Sequence, residues 1–123
     1  MKKYLTYPFL IRIGLACVFL ANSLSAFSSP GEFQDMVSGS LLGGILPFSV
    51  ATFVILIGFN DLLVSLLLFI GWRTKWVATW AVIWIVGVTL VIGASTLENA
   101  LDVVEHLAFI FMALALVANN KTE

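Results

Sequence analysis

Apolar residues fall along this chain in four long blocks, at about residues 7–27, 48–71, 76–94 and 100–118, parted by short polar or glycine-bearing breaks. Each block approaches the roughly 20 residues a helix needs to cross the hydrocarbon core of a bilayer. The second is the most apolar, with Asn60, Asp61 and Ser65 as its polar interruptions beyond Thr52. It ends in Gly71-Trp72-Arg73-Thr74-Lys75, a glycine break followed by an aromatic and two cations, which reads as a membrane exit. The break before the third block is too short for anything but an antiparallel neighbour. Residues 28–47 differ, with glycines at 31, 39, 43 and 44 and two acids but no cation. There Ser29-Pro30-Gly31-Glu32 fits a capping box, with Ser29 as N-cap and Glu32 at N3. Phe33, Met36 and Val37 share one face of the helix this box would start, so a short helix in the membrane interface is expected. The predicted fold is all-α: an integral membrane four-helix bundle, with a short interfacial helix between spans one and two, forming one domain over residues 1–123.

Composition supports the same class. Of 123 residues, 61% are hydrophobic and 11% charged, against about 45–50% and 25% in soluble domains. Mean hydropathy is +1.08. A net charge of -1 predicts no nucleic-acid partner and no polybasic attraction to anionic lipid. The single cysteine, Cys17, excludes an internal disulfide and a CxxC pair; its apolar neighbours suggest a small buried hydrophobe. Lys2, Lys3, the apolar run and the small residues Ser23, Ser25 and Ala26 resemble a secretory signal. Arg12 interrupts that run, so it is read as a retained first span. Four crossings put both termini on one side. Lys2, Lys3, Arg73, Lys75 and Lys121 share that side, and Glu32, Asp35 and Glu98 lie on the other. The positive-inside rule then places both termini in the cytoplasm of a multi-pass protein.

The few polar groups inside the spans are the candidate chemistry. An ionisable residue at mid-span costs about 2.5–3.5 kcal/mol on insertion scales, so Asp61 should face protein or a wet cavity. Gly58, Asp61 and Ser65 form one stripe of small and polar residues suited to close helix approach. On span four, Asp102, Glu105, His106 and Phe109 share a face. At about 1.5 Å per residue, Glu105 and His106 lie well below its outer end, at a level near Asn22 of span one. Asp61 falls near the midplane and Arg12 in the inner half. The candidate polar pocket is therefore Arg12, Asn22, Asn60, Asp61, Asp102, Glu105 and His106. Two readings stand: an outward-opening pocket in which Asp61, Glu105 and His106 handle protons, or polar glue between helices at about 0.6 kcal/mol per contact. Arg12 either snorkels to headgroups or pairs with Asp61. Trp72, Trp76, Trp80 and Trp84 recur every four residues, as an interfacial belt and packing bulk or, for Trp80 and Trp84, as a platform for a flat ligand such as a quinone. One His cannot supply paired haem ligation, and no His/Cys cluster has zinc spacing, so no metal site is expected. No Gly-x-Ser-x-Gly and no phosphate-cradling glycine loop is present. The chain does not read as a complete enzyme.

Leu10-Ile11-Arg12-Ile13-Gly14 resembles the Arg-x-Gly-type opening of DoxX-like membrane proteins. Phe59-Asn60-Asp61-Leu62-Leu63, then Leu66-Leu67-Leu68-Phe69-Ile70-Gly71-Trp72-Arg73-Thr74-Lys75-Trp76-Val77-Ala78, is similar to that family's second and third spans. Asp61 stands where glutamate is expected, and Asn22 and Ser23 stand where a lysine or histidine is often found. The resemblance implies a four-span protein of the bacterial inner membrane. One branch of the family is associated with thiosulfate:quinone oxidoreduction, which would attach to Arg12, Asp61 and Arg73. The expectation is a small subunit supporting quinone-linked redox or membrane stress chemistry, with a protein partner or a second copy in the bilayer. A small proton-coupled transporter or channel and a non-catalytic scaffold are the alternatives.

Overall fold

A computed structural model describes residues 6–39, 44–92 and 97–119. Lys2, Lys3 and Lys121 lie outside the described residues, as does the side chain of Glu98. The described residues form five α-helices: α1 Tyr7–Ser28, α2 Pro30–Ser38, α3 Val50–Ile70, α4 Thr74–Ile92 and α5 Leu97–Ala118. Helices α1 and α3, and residues Ala100–Ala118 of α5, are long and apolar enough to cross a membrane; the apolar part of α4, Thr74–Leu90, is shorter. The protein is thus an all-α membrane bundle.

Local chemistry sets the helix ends. The Thr6 hydroxyl accepts from the Phe9 amide at 3.4 Å, with Pro8 in the first turn, where its missing N–H has no partner to lose. The Ser49 hydroxyl accepts from the Thr52 amide at 3.2 Å at the start of α3. Helix α3 stops at Gly71, left-handed at φ 84, whose amide bonds the Leu67 carbonyl. A left-handed residue in this position favours glycine. The expected capping box of α2 does not form. Ser29 is its N-cap but makes no side-chain cap bond, and its amide donates to the Ser25 carbonyl at 2.8 Å, closing α1. One residue serves both helix ends, so the amide that Glu32 would bond is already taken.

Helix α1 packs closely along α3, and α4 along α5; α1 meets α5 and α3 meets α4 more loosely. Small residues draw the first pair together. The Ser23 hydroxyl donates to the Gly58 carbonyl and the Ser65 hydroxyl to the Ala16 carbonyl, each at 3.0 Å. The Phe27 ring lies on the backbone of Gly58, where a Cβ would fall 2.7 Å from it, and meets Phe59 edge-on at 5.2 Å. Leu15, Ala16, Phe19, Val64, Leu68, Val77, Ala78, Ala81, Ile85, Ala113 and Leu116 form the core. Most of it occupies the half of the bundle holding the Gly71 turn and the ends Tyr7 and Ala118, called here the basal half. Helix α2 caps the opposite, upper end, touching α1, α3 and α4, with Val37 fully buried.

The outer surface is apolar, with Leu90, Ile70 and Phe111 among many large side chains turned outward. Patches of that extent are what lipid covers. Cys17 lies on this surface, a correction to its expected burial in protein: its apolar neighbours suit acyl chains as well as a core.

Candidate functional site

The bundle is packed in its basal half and hollow in its upper half. A cavity of about 510 Å³ opens between the α1/α3 and α4/α5 pairs, under α2. Every helix contributes: Val18, Phe19 and Asn22 from α1; Phe33, Met36 and Val37 from α2; Phe53, Ile57 and Asp61 from α3; Ile83, Trp84, Ile85, Gly87 and Val88 from α4; Asp102, Glu105, His106 and Phe109 from α5. Its walls are mostly apolar and aromatic, with a few convergent polar groups, as in small-molecule sites of roughly 300–1,000 Å³.

Asp61 is buried at mid-helix in α3. Its Oδ1 accepts from the Asn60 side-chain amide at 3.1 Å, and the Trp84 side chain makes a further polar contact to the same carboxyl group. The Trp80 indole N–H donates to Asn60 Oδ1 at 2.9 Å. A relay from Trp80 through Asn60 thus orients the carboxyl group from behind. His106 stands across the cavity on α5, edge-on to Phe109 at 6.0 Å. Its buried Nδ1 has no hydrogen-bond partner, unusual for a buried polar atom. Asp102 and Glu105 lie close enough to His106 to act on it electrostatically. Among the described residues, three carboxyl groups and one imidazole therefore line the cavity, with no Lys or Arg.

Asn22, Asp61, Asp102, Glu105, His106 and Trp84 are brought together here. Asn60 supports Asp61 from outside the lining. Trp80 is not among the lining residues and is 45% exposed, its ring 5.9 Å from that of Trp84 and tilted 35° to it. A spacing of four residues advances about 40° per step around a helix of 3.6 residues per turn, so the tryptophan row winds from the lipid face at Trp72 and Trp76 into the bundle at Trp84. Arg12 also leaves the group. Its guanidinium packs against Gly71 at the end of α3 and over the Phe9 ring at 5.3 Å. There it faces the partial negative charge of a helix C-terminus, more than two turns of α3 below Asp61 and not paired with it. Arg73, at φ 44 in the same turn, lies over Trp72 at 5.3 Å.

The cover by Phe33, Met36 and Val37 and the walls at Phe53 and Val88 were not among the candidates. The shared face of the first three was visible in their spacing; nothing in the spacing of the others marks them.

These features define a small all-α membrane protein with a ligand-sized pocket in one half of its bundle. A model of the DoxX family matches residues 7–94, and the chain belongs to that family. No curated protein and no solved structure matches it.

Proposed function

We propose that the upper cavity binds the ring of a membrane quinone and that the chain works as the quinone-site subunit of a redox assembly in the bacterial inner membrane. One observation carries the reading: a cavity of about 510 Å³ with aromatic walls whose polar groups, Asp61, Glu105 and His106 among them, lie within the span. A flat apolar ring with two oxygens suits such walls, and the family association with quinone chemistry points the same way. Reducing a quinone to a hydroquinone takes two electrons and two protons. Asp61, Glu105 and His106 are groups able to pass the protons. The electrons come from a partner protein, because one His and one Cys cannot hold paired haem or an iron–sulfur cluster. Of the three positions carried by the family pattern, Asp61 alone lines the cavity; Arg12 and Arg73 act at the basal turn. We take both termini as cytoplasmic from the cation distribution, which turns the α2 end of the bundle away from the cytoplasm.

Tryptophan fluorescence of the purified protein, titrated with a short-tailed ubiquinone or menaquinone analogue, tests this. Saturable quenching that disappears in Trp84→Phe is expected. Quenching absent from both proteins, or unsaturable in both, rules the site out.

A proton-coupled transporter is the second reading, favoured by the same titratable groups above a packed basal half, as in a state open to one side. Proton flux into proteoliposomes should then fall in Asp61→Asn and Glu105→Gln, and equal flux in all three proteins removes it.

A further inference from the structure

The polar groups of the cavity are unequally divided between donors and acceptors. Counted as ionised, Asp61, Asp102 and Glu105 bring six carboxyl oxygens, of which Asp61 Oδ1 already accepts from Asn60, and Asn22 brings one amide oxygen. Donors are few. The Trp84 indole is engaged with Asp61, leaving the Asn22 amide and whichever imidazole nitrogen of His106 carries the proton. No Lys or Arg among the described lining residues balances the account, and Arg12 is held at Gly71. A ring with two carbonyl oxygens brings only acceptors to a surface already rich in them. A ring with two hydroxyls brings donors; Asp102 and Glu105 are exposed, and an acceptor that a ligand covers gains most from being matched by a donor.

From this donor deficit we propose that the cavity is selective for the dihydroxy, reduced form of its ring ligand over the dicarbonyl, oxidised form, with Glu105 and His106 receiving one hydroxyl. The inference rests on the quinone-site reading above and specifies which redox form the site holds. His106 fits the role because its Nδ1 is buried beside the cavity without a partner, and a hydroxyl can meet either tautomer. Glu105 neighbours it on α5 and accepts only, when ionised. A site that holds the reduced ring more tightly draws the couple toward reduction. A subunit of this kind therefore shifts the bound ring to a higher midpoint potential than the free ring.

The test is an anaerobic fluorescence titration of the full chain with three short-tailed rings: the benzoquinone, its hydroquinone, and the dimethyl ether of that hydroquinone, which is two methyl groups larger and has no donors. The hydroquinone should bind about tenfold more tightly than the other two, the worth of one or two well-made hydrogen bonds. In Glu105→Gln, where an amide supplies the missing donor, the ratio should fall toward one through weaker hydroquinone and stronger benzoquinone binding. His106→Phe should lower the hydroquinone affinity alone. Equal or tighter binding of the benzoquinone overturns the selectivity while leaving the quinone site standing. Saturable binding of none of the three overturns both. A full tenfold ratio retained in Glu105→Gln and in His106→Phe, both folded by circular dichroism, removes the assigned acceptors and with them the proposal.

Discussion

Asp61 is the residue whose cost most needs explaining, since its carboxyl group is buried at mid-span in α3. The Asn60 amide and the Trp84 indole offset part of that cost. Asp61→Asn keeps the shape and removes the ionisable group. It should leave thermal unfolding in detergent unchanged or slightly improved, as when buried charges give way to neutral groups, while weakening ring-ligand binding about tenfold. Asp61→Leu should instead cost about 1–3 kcal/mol, because it strands donors that now have an acceptor. Gly71 makes a second case. Alanine there would adopt a left-handed backbone and meet the Arg12 guanidinium, so Gly71→Ala should lower stability by at least about 1 kcal/mol. Part of that loss comes from Arg12. A double-mutant cycle with Arg12→Ala should therefore show a coupling energy, and strict additivity would mean that strain in the turn alone is responsible.

Among the elements, α2 carries the most functional interest. It is nine residues long, too short to hold helical structure alone, and is kept in place by Val37 and by its contacts with α1, α3 and α4. Phe33 and Met36 roof the cavity without being fully buried. Their joint replacement by alanine should raise the ligand dissociation rate several-fold in stopped-flow measurements and change the association rate less, since affinity differences within one site fall mostly on dissociation. Unaltered dissociation would show that α2 is not a cover. The amphipathic face of α2 could be read from Phe33, Met36 and Val37, because 3.6-residue periodicity is a local property. Its cap could not, because Ser29 is shared with α1 and the contest for its amide depends on where α1 ends.

Across the whole molecule, a basal half closed by apolar packing supports an upper half that is open. Leu68→Ala or Leu116→Ala, at fully buried core positions, should destabilise by about 2–5 kcal/mol while leaving ring-ligand affinity within about twofold of wild type. In a Cys17→Ser background, a water-soluble maleimide should label Glu105→Cys and not Val64→Cys; labelling of both would mean that water reaches the core.

Much of this design can be read in one dimension. Bilayer thickness and helix rise turn apolar run lengths into spans and residue numbers into depths, so the helical fold and the staggered levels of Asn22, Asp61 and His106 followed from the residue order. Rotation about each helix axis did not, because adjacent residues differ by about 100° and lipid rewards an apolar outer face almost as well as an apolar core. Cys17 and Trp80 therefore turned outward, and Arg12 went to the end of α3 instead of to Asp61. The packing of α1 against α3 and of α4 against α5 decided which polar side chains share the cavity, because facing is settled by the neighbour a helix meets.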